Sequence, residues 1–294
     1  MRVTDRMIFE NARRDTMAAR QRLEDATREA STGMRVTHPW DDPAATGLLV
    51  QRRLAGARWD AQRTSVERAA DELSVADSAL DSVANAVSRA QQLAVQLSNA
   101  TYSAGDRAGA AREVQGLISD VIGTLNRQVG NRYIFGGTAD GAPPFDATGA
   151  YQGDANVRSV EVMPGVNVNT SVRADVYLQG SGGGVDVLDT LRTLQAALEN
   201  NDPAAISGTL DDLATGVDQV ARARAEAGAN TLLLDSAAAA ARVASDQEVV
   251  AGAALSEVDV IDAATRLAHA ERALEAALAA TSRSFAKTLL DTLR

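Results

Sequence analysis

Residues 66–97 read VERAADELSVADSALDSVANAVSRAQQLAVQL, and this stretch decides the fold. Its apolar and small residues recur at alternating steps of three and four positions, a spacing that aligns them along one side of an α-helix. We call such a line a seam, and this one consists of Val66, Ala69, Leu73, Ala76, Leu80, Val83, Val87, Ala90, Ala94 and Leu97. The seam predicts a long helix in a coiled coil or helical bundle. A break near residues 103–106 separates it from a shorter helix.

Aspartate–proline pairs mark the beginnings of two long helices. An aspartate side chain accepts hydrogen bonds from the first free amides of a helix, and proline loses no bond at the first helical position. Asp42-Pro43 precedes the first seam, and Asp202-Pro203 precedes a second unbroken seam over residues 206–241. We therefore expect these two long helices to be partners.

Both ends of the chain carry weaker seams, in which alanine and threonine replace most of the large apolar residues. The first helix is predicted to end at Gly33, and the last to begin at Ser256 with Asp259 completing a capping box. The seam positions are Phe9, Ala12, Thr16, Ala19, Leu23, Ala26 and Ala30 in the first helix and Leu267, Leu274, Leu278, Thr281, Phe285 and Leu289 in the last. Because alanine buries little apolar area, we expect each terminal helix to be marginal alone and ordered by additional copies of the chain.

The middle of the sequence has a different composition. Residues 131–184 hold ten of the 22 glycines, three of the six prolines and five of the ten aromatic residues. Valines alternate with polar residues on both sides of Pro164-Gly165, and proline followed by glycine suits a type II turn. We predict a small β-rich insert with at least one hairpin, after which helix resumes at Val185.

The predicted fold is mainly α with a small β insert, and its segments are nested. Residues 1–40 and 253–294 are expected to form terminal coiled-coil helices. Residues 41–130 and 185–252 are expected to form a bundle of long helices inside them. Residues 131–184 form the β-rich outer insert.

The charge and cysteine content exclude several classes of function. A net charge of −10 and a single lysine argue against nucleic acid as a partner, because phosphate binding needs clustered basic residues. The absence of cysteine excludes disulfides and thiolate metal sites. The sequence has no apolar run long enough to cross a bilayer, and its N-terminus lacks the apolar core of a signal peptide. We expect no membrane partner and, if the protein is exported, a route without signal cleavage.

No group of residues has the composition and spacing of a catalytic or cofactor site. Asp41 and Asp42 are explained by the helix start, and no base or nucleophile accompanies them. His38 and His269 are the only histidines and lack partners at metal-ligand spacing. The glycines at 180–184 are not followed by the Gly-Lys-Ser/Thr of a phosphate-binding loop. We therefore predict a non-enzymatic protein with no catalytic residue, no metal and no cofactor.

Several motifs resemble those of bacterial flagellar proteins. STGMRV at 31–36 and DDPA at 41–44 resemble a segment near the N-terminus of flagellins and their relatives. NRYIFGGT at 131–138, PF at 144–145 and YQGD at 151–154 are similar to the hook-filament junction family, the third hook-associated protein. The motif residues are Tyr133, Phe135, Gly136, Gly137, Tyr151 and Gly153, and the helix start is Asp42 and Pro43.

The resemblance implies a structural subunit of an extracellular ring that links the flagellar hook to the filament. Copies would self-associate between the first hook-associated protein and flagellin, with the terminal helices innermost and the β insert outside. A cytoplasmic export chaperone would bind the C-terminal helix before export without a cleaved signal peptide. Assembly contacts are expected at Phe9, Thr16, Leu23, Leu267, Leu274, Leu278, Phe285 and Leu289.

Two alternatives remain open on the sequence alone. A minor flagellin would share the terminal helices but would polymerise alone into long filaments. A cytoplasmic coiled-coil scaffold or signalling module would share the seams but would stay inside the cell.

Overall fold

The computed structural model describes the backbone of residues 2–163 and 165–292 and the side chains of residues 7, 9–163 and 165–283. Its elements are α1 (Arg2–Thr32), α2 (Pro43–Leu97), α3 (Ala104–Leu125), β1 (Gln128–Val129), β2 (Arg132–Tyr133), β3 (Ser159–Met163), β4 (Val166–Asn169), α4 (Ala174–Tyr177), α5 (Val187–Glu199), α6 (Pro203–Gly208), α7 (Leu210–Ser256) and α8 (Val260–Thr292). The described part of the chain is mainly helical, with two small antiparallel sheets. The predicted fold class, mainly α with a small β insert, is confirmed.

The chain forms two compact units. Unit 1 comprises Met1–Arg58 and Val243–Arg294, and unit 2 comprises Trp59–Arg242. The divisions fall inside α2 and α7, so each of these helices contributes to both units. The three-part division expected from the sequence, with boundaries at the helix ends, stays a prediction.

Helix α2 buries its seam completely. It begins at Pro43, where the Ala45 N–H donates to Asp42 Oδ1 at 3.0 Å. All ten seam residues between positions 66 and 97 are buried, with exposed fractions of 0 to 8%. The spacing of three and four residues therefore brings this whole stretch of α2 into the core of unit 2.

Helices α3, α5 and α7 complete that core around α2. A reciprocal capping box between Ser103 and Asp106 starts α3, because each side chain bonds the backbone N–H of the other residue. An ion pair joins α7 to α2, with Arg224 Nη1 2.6 Å from Asp81 Oδ1. The buried apolar residues of the four helices form one continuous cluster that also takes in Phe135 and Phe145 of the insert.

The second seam is interrupted in its backbone, which corrects the prediction of an unbroken helix. Asp202 caps the short α6, accepting from the Ala204 and Ala205 N–H groups at 3.0 Å. A turn at the buried Thr209, whose hydroxyl donates to Ile206 O at 2.8 Å, then separates α6 from α7. The seam nonetheless continues across the turn: its buried members are Ile206, Leu213, Val220, Ala227, Leu234 and Ala241.

Two predicted helix beginnings are also displaced. α5 begins at Val187 rather than Val185, because the Asp186 side chain accepts from the Asp189 N–H at 2.9 Å and serves as the cap. The prediction that Ser256 starts the last helix is wrong. Ser256 is the final residue of α7, and its hydroxyl donates back to Gly252 O at 3.1 Å.

The predicted hairpin is present. β3 and β4 pair antiparallel, with Val160 opposite Val168. Gly165 has φ +79°, a left-handed conformation that favours glycine. Pro164, the other central residue of the predicted turn, lies outside the described residues.

Candidate assembly surface

The terminal helices α1 and α8 lie antiparallel in unit 1. Thr16 Oγ1 lies 3.3 Å from Thr281 Oγ1, and Arg266 Nη1 lies 3.2 Å from Glu29 Oε2. The later contact in α1 is thus made by the earlier residue in α8, so the two helices run in opposite directions. Both threonine hydroxyls also donate to carbonyls of their own helices. Among the described side chains, these two polar contacts join α1 to α8 near residues 16 and 29 of α1.

In α1 and α8, every apolar side chain that is buried is an alanine, among the side chains that the structure describes. Among their described side chains, the buried apolar ones are Ala19, Ala26, Ala263 and Ala270. Each buried methyl or methylene group contributes about 0.8 kcal/mol, so these four offset only a fraction of the entropy cost of ordering two long helices. The expectation that further copies of the chain supply additional burial for this pair of helices stays a prediction.

The expected assembly residues occupy two kinds of position. Thr16, Leu23, Leu267 and Leu274 are half-buried along the α1–α8 contact. Phe9 and Leu278 are more exposed, at 49% and 52%. The side chains of two further expected contacts lie outside the described residues: Phe285 and Leu289.

Exposed apolar side chains are concentrated in unit 1. Of nineteen large apolar residues that are exposed among the described side chains, fourteen lie in unit 1 and five in unit 2, although unit 2 is the larger. On α8, Val260 and Ile261 are 72% and 78% exposed, and on α7, Val249 and Val250 are 66% and 68% exposed. Contiguous exposed apolar surface marks protein–protein interaction sites, so these side chains are the candidates for contact with neighbouring subunits.

The two connections in unit 1 are tied to each other. Met34 and Glu257 form an isolated antiparallel bridge. The Arg35 N–H donates to Ser256 O at 2.7 Å, and the Val258 N–H donates to Gly33 O at 3.0 Å. The turns from α1 to α2 and from α7 to α8 are therefore fixed by backbone hydrogen bonds.

The two adjacent aspartates of this region have different roles. Asp42 caps α2, whereas Asp41 Oδ2 accepts from the N–H groups of Thr37 and His38 at 3.0 and 2.8 Å. The hydrogen bond from the His38 backbone is the main cause that lowers the pKa of Asp41 to about 2. Sequence reasoning assigned both carboxylates to the helix start and missed the loop that Asp41 organises.

The Tyr133 to Gly137 motif forms a loop in unit 2 that hydrogen bonds hold against residues 151–154, and we call this contact the lock. Phe135 is completely buried, and the Tyr151 hydroxyl lies 3.0 Å from the carbonyl oxygens of Phe135 and Asp154. Burial raises the pKa of Tyr151 to about 12, with the nearby Asp175 carboxylate adding to the shift. The motif thus joins residues 133–138 to residues 151–154.

Glycine is required at three positions of this lock. Gly137 has φ +70°, and a Cβ there would collide with the Asp154 carboxylate. A Cβ on Gly136 would meet Ala139 O, and one on Gly153 would meet the Tyr151 ring. The backbone of this loop approaches its neighbours too closely for any larger residue.

Asp154 is the acceptor at the centre of the lock. Its Oδ1 accepts from the Thr138 N–H at 2.9 Å, and its Oδ2 accepts from the Thr138 hydroxyl. These hydrogen bonds, with the hydroxyl first, lower the pKa of Asp154 to about 2. The arrangement is structural, because both carboxylate oxygens are already occupied by donors from residues 138 and 156 of the same unit.

The described residues lack two features of other kinds of function. They contain no group of three or more His, Asp or Glu side chains placed to hold a metal ion. Their helices include none long and apolar enough to span a bilayer.

Comparisons with known proteins give a consistent result. Residues 3–140 match the family model of the bacterial flagellin N-terminal helical region. Flagellar hook-associated protein 3 of Salmonella typhimurium is 30% identical over 251 residues, which cover 78% of this chain and 79% of that protein. Flagellar hook-associated protein 3 of Escherichia coli is 32% identical over 160 residues, 53% of this chain and 50% of that one.

A solved structure supports the fold. The crystal structure of FlgL from Bacillus cereus aligns with a TM-score of 0.58 and 22% identity, covering 70% of this chain and 98% of that chain. The alignment includes nearly all of the solved chain, so the helical bundle is shared over the aligned part of this chain.

Proposed function

The chain belongs to the family of flagellar hook-associated protein 3, and from this premise we propose that it is a structural subunit of the junction between the flagellar hook and the filament. Members of the family are flagellar components. In the proposal, copies of the chain form an extracellular adaptor ring, with the first hook-associated protein on one side and flagellin on the other. The subunit has no catalytic role.

The distribution of apolar surface is the observation that carries this proposal. Among the side chains that the structure describes, unit 1 exposes fourteen large apolar ones, and the buried apolar ones of its terminal helices are alanines. Contacts with neighbouring subunits would cover this surface and supply the missing burial. The same contacts would involve the expected positions on α1 and α8, including Leu23, Leu274 and Leu278.

Export and placement follow from the same proposal. The chain would leave the cell through the flagellar export channel without a cleaved signal peptide, after a cytoplasmic chaperone has bound α8. The exposed apolar face of α8 is the kind of surface that a chaperone would shield before export. In the ring, the terminal helices would form the inner layer and residues 131–184 the outer one.

A minor flagellin is the second candidate, and the match of residues 3–140 to the flagellin N-terminal region is the observation that favours it. It predicts that the purified protein polymerises alone into long filaments. The junction proposal predicts that it does not.

Deleting the gene tests the junction proposal. We expect cells that carry hooks without filaments and shed monomeric flagellin into the medium. Normal filaments on the deleted strain would contradict the proposal, and loss of the hooks as well would place the protein elsewhere. Detection of the chain only in the cytoplasm would favour the scaffold alternative.

Complementation tests the assembly surface in the same strain. A copy carrying Leu278→Asp should fail to restore filaments, because a carboxylate would be buried in the subunit contact. The amount of variant in the medium is measured alongside, because Leu278 also lies on the helix that the chaperone would bind. Glu275→Gln, an exposed change of one charge on the same helix, is the matched control and should restore filaments. Full restoration by Leu278→Asp would remove that residue from the surface.

A further inference from the structure

A polar cavity in unit 2 lies apart from the proposed assembly surface. It has a volume of about 360 Å³ and lies between α2 and the β3–β4 hairpin. Its walls include three arginines and three hydroxyl side chains: Arg68, Arg132, Arg158, Ser65, Ser159 and Thr170. Volumes of this size are sufficient for a small ligand.

Two of the arginines are accounted for by the fold. Arg132 Nη2 lies 2.5 Å from Glu72 Oε1, and Arg158 Nη1 lies 2.9 Å from Asp140 Oδ2. Arg158 Nη2 is a further 3.6 Å from Glu72 Oε2. Glu72 is 8% exposed, so these ion pairs hold the insert against α2 through a buried carboxylate.

Arg68 takes no part in this network. Within the described part of the chain its guanidinium makes no ion pair or hydrogen bond, although it lines the same cavity. Three guanidiniums face two carboxylates, Glu72 and Asp140, so the cavity keeps an excess of one positive charge.

The cavity also has more donors than acceptors. The buried Nε–H of Arg158 has no acceptor among the described residues. The hydroxyls of the exposed Ser65 and Ser159 and of Thr170 make no hydrogen bond within the described ranges and are open to a ligand in the cavity. Buried donors usually find partners, so the buried Nε–H of Arg158 beside the exposed, unpaired Arg68 guanidinium and an excess of positive charge indicates a site for an acceptor-rich anion.

We propose that this cavity binds an oxyanion, a phosphate or carboxylate group held by the Arg68 guanidinium and the surrounding hydroxyls. The planar fork of an arginine matches two oxygens of such a group, which a lysine does not. The oxyanion comes either from a free anion or from an Asp or Glu of a second copy of the chain. The site goes beyond the proposed junction function and does not depend on it, because all its residues lie in unit 2.

Phosphate titration of the full chain tests the site. Thermal unfolding is followed while inorganic phosphate is added at pH 7, with sodium chloride at matched ionic strength as the salt control. We expect a saturable rise in melting temperature for the natural chain and at least tenfold weaker apparent affinity for Arg68→Gln. Arg53→Gln, the same substitution at an exposed position of α2, should titrate like the natural chain. Circular dichroism verifies that both variants fold.

Sedimentation velocity distinguishes the two sources of the oxyanion. A free anion is the ligand if self-association at high protein concentration is unchanged by phosphate and by Arg68→Gln. A carboxylate of a neighbouring copy is the ligand if phosphate and Arg68→Gln each weaken self-association. Equal responses to phosphate by the natural chain, Arg68→Gln and Arg53→Gln would overturn the proposal, whatever the outcome for the hook-filament junction.

Discussion

At the scale of single residues, the family motif is explained by close backbone approach. Gly136, Gly137 and Gly153 each lie where a Cβ would enter a neighbouring group, and Asp154 uses both of its oxygens to hold Thr138. The motif can be recognised in the sequence without knowledge of its purpose. Its structural role follows from the hydrogen bonds between residues 133–138 and 151–154, which the sequence does not reveal.

Gly137→Ala should destabilise unit 2. The left-handed φ alone costs about 1–2 kcal/mol for a residue with a Cβ, and the new methyl group would displace the Asp154 carboxylate. Gly123→Ala is the matched control, because Gly123 lies in α3 with open space around it, and alanine is favoured there by about 0.5–1 kcal/mol. Urea unfolding should move the two midpoints in opposite directions. Equal midpoints would show that the loop relaxes freely.

Asp154 should also contribute to acid sensitivity. Its pKa is about 2 in the folded chain against an ordinary value of 3.8, so its stabilising effect is complete above pH 3.8 and is lost as the pH falls towards 2. Asp154→Asn should therefore lower stability at pH 7, and its free energy of unfolding should fall less than that of the natural chain between pH 4 and pH 2. Parallel pH curves for the two proteins would contradict the lowered pKa.

The roles of some charged helix residues in unit 2 could not be predicted from the sequence. Glu72, Arg68 and Arg107 all lie in helices, where a charged side chain is normally solvated, yet Glu72 and Arg107 are buried. Arg132, which pairs with Glu72, and Asn201, which accepts from Arg107, are distant in the sequence from those residues. No periodicity marks such contacts, because they depend on how distant segments of the chain pack against the helices.

At the scale of elements, spacing predicts the long helices well and their ends poorly. The seam at residues 66–97 is buried throughout because its apolar side chains determine the face of α2 directly. Helix ends depend on which of several hydroxyls and carboxylates captures the free amides. Ser256 bonds backwards to Gly252, and Asp259 alone caps α8 by accepting from the Ile261 N–H at 2.8 Å.

Substitutions at two leucines of α2 should separate the core from the surface. Leu80→Ala removes a side chain that is 0% exposed and should destabilise the chain by about 2–5 kcal/mol. Leu54→Ala removes one that is 56% exposed and should change the free energy of unfolding by less than about 0.5 kcal/mol in the monomer. Chemical denaturation of dilute protein measures both. A large loss from Leu54→Ala would mean that unit 1 covers this residue without a partner.

At the scale of the whole molecule, we expect unit 2 to be stable in the single chain and unit 1 to be stabilised by assembly. Unit 2 has a continuous core of leucines, valines and phenylalanines and is expected to be stable in the single chain. Among the described side chains of unit 1, the buried apolar ones are Val36, Leu49 and five alanines. This contrast follows from the seams, and it was predictable from their alanine content.

Amide hydrogen exchange is the measurement that tests the dependence of unit 1 on assembly most directly. In dilute monomer we expect strong protection of Leu80 and Leu234, which are buried in unit 2, and rapid exchange of Leu23 and Leu274 in the terminal helices. In assembled protein, Leu23 and Leu274 should become protected. Strong protection of Leu23 and Leu274 in the dilute monomer, equal to that of Leu80 and Leu234, would contradict the account.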